Sequence, residues 1–547
     1  MSALTIDDRA FPIPGSADEK ALFHKLQAKL PDFYHRLAAN RQEAHTTIVV
    51  PSLSLDQAEL AKIEGTMYYE ERLLCMLMLL RRPRTRIIFV SSTKIHPIIT
   101  QYYLSFLTGI PLGHAMRRLT MLDTNDASYK PLSQKILESP WLLDRIRKNI
   151  GDPDRTHLVV FNTTPLERTL AVRLGIPVYG TDPDLHHLGN KSGCRALLKE
   201  AGIPVPYGFE NLKSTEDIVE ALVKIWQHDP AIQRAVVKLN DGFSGKGNAV
   251  FDFRTLGDLS GLPSDERKRS IEKHLHQLKF EAEHETWPSF ERQFRKLEGV
   301  VEAFVEGDVK YSPSVQARVN AIHEPQVIST HDQIMGGPSG QVFMGCTFPA
   351  KKEYRLQLQE DGRKVAEILS KKGVLGRFAI DFILVPKEKG FDRYAIEINL
   401  RRGGTTHPFA MMKFLIEGRY DESEGIYLSS RGQEKFYLAT DNLLDPAAKF
   451  QGMGPEDLID VIAFNELHFH SYLQRGVAYH MIGALSQCGK LGITCIGDTR
   501  AETAALHERT LEVLKAETTF EGRKRRLEYY LKAPQNYGDY SPLPTSW

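Results

Sequence analysis

The rhythm of apolar and polar positions changes three times along the chain. In the first 185 residues, short strand-like runs recur: Thr47-Ile48-Val49-Val50, Arg86-Ile87-Ile88-Phe89-Val90, His157-Leu158-Val159-Val160-Phe161 and Ile176-Pro177-Val178-Tyr179-Gly180. Stretches with helical spacing separate them, such as the one around Leu166 to Leu174. Strands alternating with helices predict a parallel α/β sheet. No glycine-rich fingerprint follows any of these strands, which argues against a dinucleotide site. The longest apolar run, Leu73 to Leu80, is bracketed by Glu71-Arg72 and Arg81-Arg82. It is too short to span a bilayer and is expected as a buried helix.

A second rhythm begins near His186. Asn190-Lys191-Ser192 opens a predicted helix that closes at Ala201-Gly202, with Gly202 as its cap. The strand Ala235-Val236-Val237-Lys238-Leu239 feeds the loop Asn240 to Asn248, and Val250-Phe251-Asp252-Phe253 leaves it. That loop holds Gly242, Ser244, Gly245, Lys246 and Gly247. Glycines let a backbone approach a ligand closely, and their N–H groups can cradle phosphate oxygens. The spacing is neither a Walker A motif nor a dinucleotide fingerprint, so a plain turn stays open beside the phosphate reading. Lys238 lies inside an apolar strand, where a solvated lysine is out of place, and Lys191 stands at a helix mouth. Two lysines converging on a phosphate chain make sense of both. A charged stretch from about residue 263 to 296 carries Lys, Glu, Arg and His on most faces and reads as a solvated insertion. Val300 to Gly307 is the next strand.

The stretch Arg377 to Arg401 then alternates in two runs, Arg377-Phe378-Ala379-Ile380-Asp381-Phe382 and Tyr394-Ala395-Ile396-Glu397-Ile398-Asn399-Leu400-Arg401, around a turn at Lys387-Glu388-Lys389-Gly390. A hairpin of this kind places Asp381, Glu397 and Asn399 side by side. Acids inside apolar runs need a cation. Mg²⁺ prefers hard oxygen ligands, usually one or two carboxylates together with substrate phosphates. The constellation therefore points to a Mg-nucleotide site rather than to zinc. From about Gly454 the rhythm shifts again. An apolar segment, Val477 to Leu485, precedes a strand at Ile493 to Ile496, helices are expected from Thr503 and Arg523, and a Pro-rich tail runs from Ala533 to Trp547.

Composition narrows the picture only slightly. A chain of 547 residues calls for two to four domains, and a net charge of +1 gives no electrostatic case for nucleic acid. The cysteines, Cys75, Cys194, Cys346, Cys488 and Cys495, have neither metal-type nor disulfide-type spacing. A reducing, cytoplasmic setting is the default expectation, with no secretory signal and no membrane.

Taken in order, Lys191 with Ile203-Pro204-Val205-Pro206, Lys238 with its glycine loop, Glu302 to Gly307, Asp381 and Glu397-x-Asn399-x-Arg401 resemble the ATP-grasp fold over about residues 186 to 450. Three further stretches are similar to the peptide ligases of the pheganomycin type: Ser329-Thr330-His331-Asp332-Gln333 with Gly336 to Gly340, Asn399 to Pro408, and Gly476-Val477-Ala478-Tyr479-His480-Met481-Ile482-Gly483. That resemblance implies an α/β chain, with an α+β core, in three parts: a Rossmann-like pre-ATP-grasp domain over 1–185, an ATP-grasp domain over 186–453 with a lid at about 205–300, and a small C-terminal α/β domain over 454–547. It also implies ATP and Mg²⁺ as cofactors. Lys191, Lys238, Gly242, Ser244, Gly245 and Gly247 are then expected on the phosphates. Glu302, Phe304 and Val305 are expected on the adenine, and Glu306 or Asp308 on the ribose. Asp381, Glu397 and Asn399 are expected on the metal.

The implied activity is ATP-dependent joining of a carboxylate to an amine, between amino acids or peptides, through an acyl phosphate. Arg401 and Arg402 would stabilise the oxyanion. His331 or His407 could deprotonate the amine, although a lone histidine is more often structural. Asp332 and Gln333 could fix a substrate amino or carboxyl group. The rival readings are an ATP-grasp kinase acting on a small-molecule hydroxyl and a nucleotide-binding protein without turnover. A homodimer is an open expectation.

Overall fold

The computed structural model describes residues 11–519 apart from 62, 243–246, 283, 337–339, 341, 442–449 and 451, together with 521, 522, 524 and 528. Its nineteen strands among the described residues form three sheets. The first strands are β1 (His45–Val50), β2 (Thr85–Ser91), β3 (Leu119–Asp123) and β4 (Thr156–Val160). They make a parallel sheet in the order β3-β2-β1-β4, and Val178 adds one parallel bridge to Leu158 beside it. Three of the four predicted strands are there. The Ile176 to Gly180 run contributes only that bridge, and β3 was not anticipated. Both faces of this sheet are covered, so its strands read as unbroken apolar runs rather than as alternation.

Leu73 to Leu80 lies within a 3₁₀ segment, Thr66–Arg81, with Leu73, Leu74, Leu77 and Leu80 buried. Burial follows the sequence expectation, but the turn type differs. An apolar run dictates that a segment is covered, while the i→i+3 choice of backbone bond is made by what packs on it. No helix among the described residues is long and apolar enough to cross a membrane.

The second sheet comprises β5 (Gly208–Leu212), β6 (Arg234–Leu239), β7 (Asn248–Asp252), β8 (Lys279–Phe280) and β9 (Gly299–Ala303), antiparallel in the order β5-β9-β6-β7-β8. Helices Thr215–His228, Ser264–His274 and Trp287–Leu297 pack on it. The stretch read as a solvated insertion is therefore part of this core: Trp287, Phe290 and Phe294 are buried beside Val237 and Val301. Their spacing of three and four residues lines one helix face, which abundant charge on the other faces concealed.

The third sheet has ten strands. A path β14-β13-β10-β11-β12-β17-β16-β15 joins β10 (Pro313–Val319), β11 (Pro325–Gly336), β12 (Val342–Phe348), β13 (Gly376–Pro386), β14 (Phe391–Asn399), β15 (Gly418–Asp421), β16 (Ile426–Ser429) and β17 (Glu434–Thr440). The C-terminal strands β18 (Gly476–His480) and β19 (Gly492–Gly497) do not form a sheet of their own. β19 pairs with β17 through Phe436↔Gly497 to Thr440↔Ile493, and β18 pairs with β19. One buried apolar cluster holds Leu74, Leu77 and Phe89 from the first part of the chain together with Tyr479, Ile493 and Cys495 from the last. The helix predicted from Arg523 and the tail from Ala533 lie outside the described residues.

Candidate functional site

The hairpin forms as its alternation predicted. β13 and β14 pair antiparallel with Asp381 opposite Glu397 and Ala379 opposite Asn399, and the register shifts just after Asp381. Two carboxylates directly across a ladder repel each other. Here Asn399 reconciles them: its Nδ2 donates to Asp381 Oδ2 at 3.0 Å and to Glu397 Oε1 at 2.9 Å. Gln333 of β11 donates to Asp381 Oδ1 at 2.7 Å, and Lys191 forms an ion pair with Glu397 Oε2. Burial raises the Asp381 carboxyl above its ordinary value. Every donor here is cationic or an amide, which is how a pair of acids is held until a cation takes them. The oxygens thus suit a hard divalent ion: Asp381, Glu397 and, after rotation of its amide, the Asn399 carbonyl.

Lys191 reaches this place because Asn190 caps the helix Lys191–Glu200, accepting from Gly193 N at 2.8 Å, while Lys191 N donates to Asn240 O at 3.1 Å. Beyond the helix, Gly202 takes the left-handed backbone (φ 68°) expected of its cap. Burial and the neighbouring Lys238 lower Lys191 to about 8. Lys238 projects from β6 and pairs with Glu302 of β9. Glu302 also receives Arg195 Nη1 at 2.5 Å and is 3% exposed. The Glu302 carboxylate is therefore occupied with two cations, and what its strand offers a ligand is main chain.

Lys191, Lys238 and the two acids face a cleft of about 630 Å³ between the second and third sheets. Gly242, Gly247, Phe304 and Val305 line it; Ser244 and Gly245 lie outside the described residues. Tyr311, Met335, Phe382, Ile383 and Ile396 supply apolar wall, and Lys351 and Arg500 add cations. Sequence reading missed the wall because alternating apolar residues signal a strand without saying which face a ligand covers. Arg500 comes from the first turn of the helix Arg500–Glu517, more than a hundred residues after the hairpin in the chain, so spacing gave no clue to it.

Several candidates fall elsewhere. Glu306 is engaged by Arg234 (Nε–Oε1 2.9 Å) and does not line the cleft. His331 is fully buried, its Nε2 lies 2.6 Å from the Tyr437 hydroxyl, and burial lowers it to about 3. By strand parity it shares the face of Gln333, but it sits under Phe348 and Phe409, with ring centroids 5.7 and 6.3 Å away. Arg402 is tied to the first sheet, its Nε donating to Val160 O at 3.0 Å. Arg401 is half-buried, and loss of solvent around its guanidinium lowers it to about 10, with Asp381 acting against the shift. His407 is 2.8 Å from His480 between their Nε2 atoms, and His480 is 2.7 Å from Asp441 Oδ1. Burial and His480 lower His407 to about 3, while Asp441 is held well below its ordinary value by Arg72 against its own burial. Neutral, weakly basic and covered, neither His331 nor His407 is placed to take a proton from a ligand in the cleft. Arg72, Asp441 and His480 are structural partners that the sequence did not single out.

This arrangement, two sheets closing on a cleft with lysines on one side and an acid-acid-amide hairpin on the other, defines a class. The IQCH-like ATP-grasp family matches residues 183–271 and 264–423, and the PGM1 C-terminal domain family matches residues 457–510. Residues 183–423 are an ATP-grasp domain. More particularly, the chain is 29% identical over 467 residues to the L-propargylglycine–L-glutamate ligase of Streptantibioticus cattleyicolor, covering 82% of this chain and 90% of that one. It is 24% identical over 436 residues to IQ motif-containing protein H of Danio rerio, covering 72% of this chain and 40% of the fish protein. In fold it is similar to the biotin carboxylase of Campylobacter jejuni, with a TM-score of 0.53 and 13% identity over 88% of this chain and 97% of that one. It is likewise similar to the biotin carboxylase domain of the Hydrogenobacter thermophilus 2-oxoglutarate carboxylase, with a TM-score of 0.51 and 11% identity over 89% and 98%.

Proposed function

We propose that this chain is an ATP-dependent ligase that joins a carboxylate to an amine, with amino acids or short peptides as substrates. The observation that carries this reading is the meeting of Asp381, Glu397 and Asn399 with Lys191 and Lys238 across one cleft of an ATP-grasp domain. The substrate class comes from the relative that ligates L-propargylglycine and L-glutamate.

In this reading Lys191 and Lys238 hold the triphosphate, with the N–H groups around Gly242 and Gly247 as further donors. The base lies along the main chain of Glu302 to Val305 and against the apolar wall. Asp381, Glu397 and Asn399 would hold Mg²⁺, which would supply neutralisation of charge on the phosphates. A carboxylate and an amine form a salt rather than an amide, because oxide is a poor leaving group. Transfer of the γ-phosphoryl group to the carboxylate releases ADP and makes an acyl phosphate; the amine then attacks its acyl carbon, and phosphate leaves with the proton the nitrogen loses. Arg401, a half-buried cation whose charge acts on Asp381, stabilises the oxyanion of that step. A cleft walled by two sheets keeps water from the acyl phosphate. We also read the chain as three working parts, 1–185, 186–453 and 454–547, the last lending Arg500 to the cleft.

A phosphate-release screen of paired amino acids, followed by mass spectrometry, tests the reading. ADP, phosphate and a new amide should appear only when carboxylate and amine are both present. A stable phosphorylated product without an amide would replace the ligase by a kinase. The association state follows from light scattering, a homodimer being the expectation.

A further inference from the structure

A second cavity, of about 370 Å³, opens at the carboxyl ends of the parallel strands, beside Pro51 just after β1, Ser92 just after β2 and Ala127 soon after β3. Crevices in this position are where open α/β sheets receive ligands, and the volume is within the range of small-molecule sites. Its walls include Leu53, Leu60, Met67 and Leu132. Into this apolar lining project one buried acid and one buried lysine. Glu70 is 7% exposed and accepts from Ser92 N at 2.6 Å and from Ser92 Oγ at 2.5 Å. Lys135 is 3% exposed and donates to Ser92 Oγ at 2.9 Å and to Asp126 O at 2.8 Å. A lysine has three N–H donors, so Lys135 retains one. Burial pushes the Glu70 carboxyl up to about 7, with Ser92 and the Lys135 charge acting against the shift.

We propose that this cavity receives an α-amino acid with an apolar side chain, its amino group facing Glu70, its carboxylate facing Lys135 and its side chain lying among Leu53, Leu60 and Leu132. Resting on the ligase reading, that amino acid is the amine substrate, held here before it moves to the cleft where the acyl phosphate forms. The cavity shares no lining residue with the cleft, and the 3₁₀ segment couples the two. Glu70 and Arg72 are two residues apart on the 3₁₀ segment, a rise of about 4 Å. Arg72 is paired with Asp441, and its charge acts on Arg401.

The test is calorimetric titration of the full chain without ATP, using L-leucine, L-norvaline, L-leucinamide, L-glutamate and L-lysine, on wild type, Glu70→Gln and Ala127→Trp. Ala127 is exposed at the cavity mouth, so its variant should fold even if Glu70→Gln does not. Leucine or norvaline should bind, leucinamide at least about tenfold more weakly, and Ala127→Trp should cost at least about tenfold in affinity while ATP binding is unchanged. The proposal is overturned if no apolar amino acid binds, if glutamate or lysine binds as tightly, or if Ala127→Trp binds leucine like wild type, which would leave Glu70 and Lys135 as a structural tie only. The two readings fail separately. Leucine binding lost in Ala127→Trp, with no amide formed from any pair, keeps the cavity and sinks the ligase. Amide formation with the KM of both substrates unchanged in Ala127→Trp does the reverse.

Discussion

Asn399 shows how little separates a structural amide from a ligand. Its Nδ2 bridges Asp381 and Glu397, so the group that holds the acids together is the one whose rotation offers a metal its oxygen. Glu397→Gln keeps that shape and removes the charge. It is expected to lower phosphate release by at least about 100-fold, since even outer partners of a metal site cost 10–100-fold, while the thermal unfolding curve stays close to wild type. Glu71 carries a different prediction. Fully buried and accepting from Gly483 N at 3.2 and 3.1 Å, it is raised to about 8 by burial. An acid whose pKa is higher folded than unfolded binds more protons in the folded state, so its contribution is full below the unfolded value, 4.5, and is lost as pH rises toward 8. Tm should fall across that window, and Glu71→Gln should flatten the fall; an unchanged slope would remove Glu71 as the cause. At this scale the sequence was legible where chemistry and period agreed, as for Asp381, Glu397 and Asn399. His331 and Glu306 misled because residue type says nothing about what packs over a ring or which arginine claims a carboxylate.

At the scale of elements, the helix Trp287–Leu297 is the clearest lesson. Two of its residues, Phe290 and Phe294, are almost wholly covered, yet the surrounding charge made the stretch read as solvated. Three apolar residues spaced by three and four suffice for a buried face when that face is narrow. Phe294→Ala should cost about 3–5 kcal/mol, seen as a lower unfolding midpoint. Because Phe294 supports the strand carrying Glu302, through contact with Gly299, ATP affinity should fall with it. A variant that keeps both would show that the helix is not part of the sheet's support. The alternating hairpin was readable almost to the residue, since a two-residue period is set by backbone geometry alone. The 3₁₀ segment was not, since burial is encoded by composition and the turn type by its neighbours.

At the scale of the whole molecule, the described C-terminal strands, Gly476–His480 and Gly492–Gly497, are structural before they are anything else. β19 covers an edge of β17, and the apolar cluster it joins spans both ends of the chain. Ending the chain before Gly476 would uncover that edge and strip the cluster, so the shortened protein should be insoluble; a soluble, cooperatively unfolding product would contradict this. Arg500→Ala separates the other role of this region. It should fold normally and change the KM of a carboxylate substrate without touching that of ATP, as steady-state kinetics can check. Strand pairing across such sequence distances is what the one-dimensional pattern could not convey. With Leu74, Leu77 and Phe89 packed in one cluster with Tyr479, Ile493 and Cys495, those distant parts of the chain share a core. The five-stranded sheet from Gly208 to Ala303 has its own core, separate from the core of the ten-stranded sheet. A nucleotide held in the cleft would bridge two separate cores, so hydrogen exchange slowed on nucleotide binding should be concentrated in β6 and β9, which carry Lys238 and Glu302 to the cleft.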